Sequence, residues 1–188
     1  MDSDEQANPW QTLASRDVYE NNWISLREDS VIRPDGEPGI YGVVHFRNIA
    51  VGVLAIDEDD YIYLVGQYRY TLDLYSWEIP EGGCPEGEEP LAAAQRELEE
   101  ETGLRAREWK RLGEAHLSNS ATDELAVWYL AQGLTQGEHN PEGTEKLKVL
   151  RVPFQEALGM VLKGDITDAL SMLAIMQHEI ECRRQIDE

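Results

Sequence analysis

Residues 82–104, GGCPEGEEPLAAAQRELEEETGL, restrict this chain more than any other stretch. Pro90 suits the first turn of a helix, where its missing N–H leaves nothing unsatisfied. Gly103 suits the left-handed residue that ends one. Between them stand Ala, Gln, Leu and Glu, all good helix formers, so the pattern predicts a helix over Pro90–Thr102. Residues three and four apart share a helix face. Glu97, Glu100 and Glu101 therefore fall on one stripe, and Leu91, Ala94 and Leu98 form an adjacent apolar stripe suited to docking on a sheet. Glu99 points elsewhere. Like charges at this spacing repel by about 0.2–0.5 kcal/mol per pair in an isolated helix. A bound divalent cation removes that repulsion, since hard cations such as Mg²⁺ favour carboxylate oxygens and bridge them to substrate phosphates. Taken alone, a charge run is more commonly a solvated face.

The run has a fixed frame around it, and the frame tips the balance. Gly82, Glu88, Arg96-Glu97-Leu98, Glu100-Glu101 and Gly103-Leu104 are nine set positions across 23 residues. This arrangement resembles the Nudix box at every defined position. The resemblance implies an α/β/α sandwich with a mixed sheet. It also implies metal-dependent attack by water on a nucleoside diphosphate linked to another moiety.

Bulk properties narrow the classes further. The 188 residues are 41% hydrophobic, enough for a sizeable core. Net charge is −21, with 37 acidic against 16 basic residues, which argues against nucleic-acid or anionic-membrane partners. An anionic substrate must then be received by local positive charge or by metal. Two cysteines, Cys84 and Cys182, give no disulfide framework and point to a reducing compartment. No apolar run reaches the roughly 18 residues that span a membrane, and no signal-peptide pattern opens the chain, so the expected location is cytoplasmic.

Taken in order, residues 1–9 are polar. Strands are predicted around Arg16–Tyr19, Trp23–Arg33 and Ile40–Arg47, with turns at Asn21-Asn22 and Pro34-Asp35-Gly36. These form an N-terminal antiparallel β unit, residues 1–47, ahead of a catalytic domain, residues 48–188. Ala50–Ile56 is a near-continuous apolar run and reads as a buried strand. Further strands are expected at Tyr61–Tyr70, Leu74–Ile79, Glu108–His116, Leu125–Ala131 and Leu147–Val152. Gly82-Gly83 reads as a loop into the helix. Two helices, Phe154–Lys163 and Asp165–Arg184, close the chain.

The layout extends the resemblance to the branch of Nudix proteins that holds ADP-ribose pyrophosphatases and nucleoside-diphosphate-sugar hydrolases. The residues that carry it are VYENNWISLREDSVIRPDG, VGQYRY, SWEIPEGG, the box, and GDITDALSMLAI. In that branch two subunits exchange their N-terminal strands, which implies a homodimer. Glu97 and Glu101 match ligands of Mg²⁺ (or Mn²⁺ in its place), and Glu100 stands beside them as a direct or water-mediated ligand. Glu101 also counts among the catalytic residues. The Glu81 carbonyl matches a further metal ligand. Arg96 matches the arginine that orients the glutamates. Arg69 matches a contact to the substrate's phosphates, and Glu124 one to its terminal sugar. The branch places a catalytic carboxylate on the loop before the last strand, where register favours Glu145 and leaves Glu142 second. Trp23 is a candidate platform for the nucleobase, whereas Trp77 and Trp128 read as core.

The implied activity is cleavage of ADP-ribose or a related nucleoside diphosphate sugar into two monophosphates. Alternatives are a nucleotide-binding regulatory module without hydrolysis, or a nucleoside triphosphate pyrophosphohydrolase. One departure bears on substrate: ADP-ribose-specific members carry a Ser-Pro-Gly type turn after the box, and this chain has Ser118-Asn119-Ser120-Ala121.

Overall fold

The computed structural model describes residues 7–137 and 147–187, with side chains described as far as residue 184. It divides into two units, residues 1–48 with 118–124, and residues 49–117 with 125–188.

The first unit is a three-stranded antiparallel sheet in the order β1 (Gln11–Glu20), β2 (Ile24–Ile32), β3 (Pro38–Phe46). Asn21 makes the first turn: its Oδ1 accepts the N–H groups of Trp23 and Ile24, both at 2.8 Å. This is the local side-chain bonding that makes Asn a turn residue. Pro34, Asp35 and Gly36 make the second, with Gly36 at φ 86°. β1 is longer than its sequence suggests. Only Arg16–Tyr19 looks strand-like, yet pairing with β2 runs from Gln11↔Ile32 to Glu20↔Ser25. A partner strand of full length overrides weak local propensity. Segment 118–124 belongs to this unit, held by Tyr41 donating to the Ser120 carbonyl at 2.6 Å and by the Phe46 N–H donating to Asp123 at 3.0 Å.

The second unit contains two sheets and three helices. One sheet has the order β7 (Glu81–Cys84), β4 (Ile49–Ala55), β9 (Leu125–Gln136), β8 (Leu104–His116). Its β4–β9 pairing is parallel and its other pairings antiparallel, so the sheet is mixed. The second sheet has the order β10 (Lys148–Pro153), β5 (Tyr61–Arg69), β6 (Leu74–Glu78). The helices are α1 (Pro90–Thr102), α2 (Phe154–Lys163) and α3 (Ala169–Asp187).

β4 explains the layering. Val51, Val53 and Ala55 pack with Ala93, Ala94 and Leu98 of α1. Leu54 faces the other way, into a core with Ala157 and Val161 of α2 and Leu170, Ala174 and Ile175 of α3. A strand covered on both faces needs apolar residues at both parities, hence the continuous run that marked it. The result is the expected α/β/α sandwich.

Four details depart from the sequence reading. Glu81–Cys84 is a strand, not a loop, because β4 offers it an edge to pair with. The buried face of α1 is Ala93, Ala94, Leu98 and Glu101, while Leu91 is 37% exposed. β8 begins at Leu104, directly after the helix cap, and β9 runs on to Gln136. α3 starts at Ala169, because Asp168 accepts the Ser171 N–H at 2.7 Å and caps the helix there.

Close packing against β4 sets a test. A Cβ on Gly52 would sit 2.8 Å from the Leu170 side chain and 3.0 Å from that of Ile79. Gly52→Ala should lower the unfolding free energy by about 1–3 kcal/mol in urea titration. Gly42→Ala, where nothing lies within 4 Å of the added atom, should change it by no more than about 0.5 kcal/mol.

Candidate active site

α1 ends as the sequence requires. Gly103 adopts φ 70°, ψ 18°, and its N–H donates to the Glu99 carbonyl. That end points the glutamate stripe back at β7. There Gly82 makes the close approach possible, because the Glu97 carboxylate fills the space a Cβ at position 82 would take.

Arg96 fastens this junction. Nη1 donates to Glu97 at 2.7 Å and to Glu100 at 3.1 Å. Nη2 donates to the Gly83 carbonyl at 2.9 Å and to Glu88 at 3.1 Å, and Nε reaches Glu88 at 3.3 Å. One guanidinium thus joins helix, strand and connecting loop, and its bond to Glu88, with Glu97 and Glu100, raises its pKa above the ordinary arginine value. Glu101 adds a second stitch: it is buried, and its Oε2 accepts the Glu81 N–H at 2.9 Å.

A second cluster adjoins the first through Glu81. Arg69, at the end of β5, donates through Nε to Glu78 at 2.9 Å and through Nη2 to Glu81 Oε1 at 2.7 Å. Nη2 also bonds Glu78. Burial opposes the charge on Arg69, but the Glu78 hydrogen bond and the charges of Glu81, Glu78 and Asp168 outweigh it and raise its pKa. Glu81 is pushed the opposite way from a normal ion-paired carboxylate. Burial raises its pKa well above the usual range, Asp168 and Glu78 raise it further, and Arg69 only partly offsets them. Its second oxygen, Oε2, is buried without a hydrogen-bond partner among the described residues.

These features fit a hard cation. The donors are all oxygens, the local charge is predominantly negative, and a buried carboxylate oxygen lacks a partner. Among the described residues no three His, Cys, Asp or Glu side chains form a ready-made cage. Glu97 and Glu100 each spend an oxygen on Arg96, and Glu101 spends one on Glu81. An ionised carboxylate has about four lone-pair sites, so one such bond does not exhaust it.

Of the residues singled out by sequence, the second unit brings together Arg69, Glu81, Gly82, Glu88, Arg96, Glu97, Glu100, Glu101 and Gly103. Glu99 points away, as expected, and pairs with Arg105. Trp23 and Glu124 belong to the first unit, where Trp23 is 67% exposed. Glu142 and Glu145 lie outside the described residues. Sequence reasoning missed Glu78 and Asp168. Glu78 is 3% exposed, and a charged residue between Trp77 and Ile79 in an apolar strand was the signal available.

The Gly82–Glu97 contact generates a prediction. Gly82→Ala should displace the Glu97 carboxylate and reduce divalent-cation affinity by about 10- to 100-fold in calorimetric titration. Thermal melting should change little, because the displaced group is the far end of a flexible side chain.

Comparison with known proteins agrees with this geometry. The NUDIX domain family matches residues 46–172. A second family, the nucleoside diphosphate sugar hydrolase N-terminal domain, matches residues 10–44. The ADP-ribose pyrophosphatase of Bacillus subtilis (strain 168) is 31% identical over 172 residues, covering 90% of this chain and 92% of that protein. The ADP-ribose pyrophosphatase of Mycobacterium tuberculosis (strain ATCC 25618 / H37Rv) is 33% identical over 172 residues, covering 89% and 82%. A crystal structure of an ADP compounds hydrolase superposes with a TM-score of 0.84 over 94% of this chain and 95% of that one. At 21% identity it speaks to the shared fold. The chain belongs to the NUDIX family of hydrolases.

Proposed function

We propose that this protein is a Mg²⁺-dependent pyrophosphohydrolase that cleaves the diphosphate of ADP-ribose or a related nucleoside diphosphate sugar into two monophosphates. The observation that carries the reading is the Glu97–Glu100–Glu101 stripe, with Glu97 and Glu100 held by Arg96 and Glu101 by the Glu81 N–H, against the Glu81–Cys84 strand. The ADP-ribose pyrophosphatase relatives, similar over most of the chain, support the substrate class. So does the match to the sugar hydrolase N-terminal family.

Glu97, Glu100 and Glu101, with the Glu81 carbonyl, would hold Mg²⁺ or Mn²⁺. When bound, the cation supplies Lewis-acid stabilisation of phosphoryl charge and lowers the pKa of an attacking water. The chain's own residues prepare the site for this. Arg96 holds Glu97 and Glu100 in one orientation, so little side-chain entropy is lost on ligation. Arg69 offers Nη1, which makes no hydrogen bond to any described residue, to an incoming phosphate. Glu145, or Glu142 in second place, is assigned as the carboxylate that takes the proton from water.

Two copies are proposed to assemble. All ten residues of β1 are exposed, and Leu13, Val18, Tyr19, Trp23 and Ile40 present apolar surface from the first unit. Such a surface marks an interaction site, and the branch resemblance makes the partner a second copy, to which Trp23 would offer its ring for stacking on the nucleobase. Glu124 is proposed to contact the terminal sugar. Both cysteines are free thiols, and no described helix is long and apolar enough to cross a membrane; we assign the protein to the cytoplasm.

The test is phosphate release from ADP-ribose, sugar nucleotides, dinucleoside polyphosphates and nucleoside triphosphates, with Mg²⁺ and with chelator. Turnover of ADP-ribose or a sugar nucleotide that chelator removes is the expected result. Glu101→Gln should reduce it by at least about 100-fold with an unchanged circular dichroism spectrum. Near-wild-type activity in that variant would end the account, and preference for triphosphates by a sedimenting monomer would favour the sanitising class instead.

A further inference from the structure

The Arg69 guanidinium is the positive group placed to meet a phosphate in the acidic site, and Glu81 sits on the edge a phosphate needs. Arginine binds phosphate best through two parallel N–H bonds from one edge of the guanidinium. The Nε–Nη2 edge is taken by Glu78, which is 3% exposed and bonds both nitrogens. The other edge pairs Nη1 with the outer hydrogen of Nη2. That hydrogen goes to Glu81 Oε1 at 2.7 Å, while Nη1 bonds no described residue. The Arg69 side chain is 34% exposed, so solvent and solutes reach it.

We propose that the Glu81 side chain is a competing ligand inside the site, its carboxylate standing in for a substrate phosphate on the Nη1–Nη2 edge of Arg69 and yielding that edge to a diphosphate. Glu78 is the permanent partner that orients the guanidinium, and Glu81 is the displaceable one. The asymmetry is visible in their surroundings. Glu78 is gripped by two nitrogens of Arg69. Glu81 has one bond to it, and its Oε2 has none. An anion that takes both Nη1 and Nη2 must displace Glu81, whereas one that makes a single contact can use Nη1 alone. Glu81 therefore weakens binding of every anion that uses this edge, phosphate and diphosphate alike. This role concerns the Glu81 side chain and is separate from the metal-ligand role proposed for its backbone carbonyl. It builds on the diphosphate-hydrolase reading, from which it takes the ligand class.

The test uses the full chain with inorganic pyrophosphate and inorganic phosphate as probes, titrated calorimetrically in chelator so that no metal or turnover enters. Glu81→Gln keeps the shape and removes the carboxylate. It should bind pyrophosphate and phosphate each about tenfold more tightly than wild type. Adding Arg69→Gln should abolish both gains. Glu81→Ala provides a second route to the same edge should the amide variant melt early. In steady-state assays with ADP-ribose and Mg²⁺, KM should fall in Glu81→Gln while kcat does not rise. No gain in either Glu81 variant would overturn the proposal, as would a gain that persists beside Arg69→Gln. If the chain turns over no nucleoside diphosphate but the chelator titrations behave as expected, the gate stands and the hydrolase reading falls.

Discussion

The junction of α1 with β7 depends on one guanidinium. Arg96 holds Glu88, Glu97, Glu100 and the Gly83 carbonyl at once. Three of those partners are carboxylates that would otherwise repel one another across a helix and its entry loop. The fourth is a strand backbone, so the same side chain fixes how far the helix stands from the sheet. That distance is short: Glu97 occupies the volume of an absent Cβ at Gly82, and Ala93 and Ala94, beside Leu98, meet β4. Small residues on the helix, glycines on the strand and one five-donor side chain between them form a single solution to the problem of pressing an acidic helix onto a sheet.

The sequence disclosed this junction well because its signals are local. Pro90 and Gly103 punctuate α1 so clearly that its limits match, and the fixed spacing from Gly82 to Glu101 lies within a single loop–helix unit. What was hidden depends on distant partners. EGGC looks like a loop by composition and becomes a strand only because β4 presents an edge. The docking face takes in Ala93 and leaves Leu91 37% exposed, a rotation of the helix that its own spacing does not show. Asp168 serves two ends, capping α3 and facing Glu81, and neither is legible from its neighbours in the chain. β1 looked short because nothing in Gln11–Ser15 asks for a strand until β2 is laid beside it.

The electrostatic state of the site then follows. Seven carboxylates, those of Glu78, Glu81, Glu88, Glu97, Glu100, Glu101 and Asp168, are associated with two guanidinium groups, Arg69 and Arg96. Two unit charges 4 Å apart interact by about 4 kcal/mol at an effective dielectric of 20, so an excess of this size cannot be carried unrelieved. The protein has two means of relief on its own. It raises the Glu81 pKa, which favours proton uptake, and it turns Glu97 and Glu100 toward Arg96.

Neither means suffices once a diphosphate arrives, since the substrate brings negative charge into a region already short of cations. Binding of the substrate and of a divalent cation would then be coupled, each tightening the other, whatever their order in time. Such a cation would offset the carboxylates and the diphosphate together. The chain's net charge of −21 offers no long-range attraction to such a substrate. Recognition must be local, and under the proposal it would fall to Arg69, whose second edge Glu81 holds in this structure. An acidic protein that hydrolyses an acidic substrate is thus consistent on one condition: positive charge must be concentrated at the reacting bond and nowhere else.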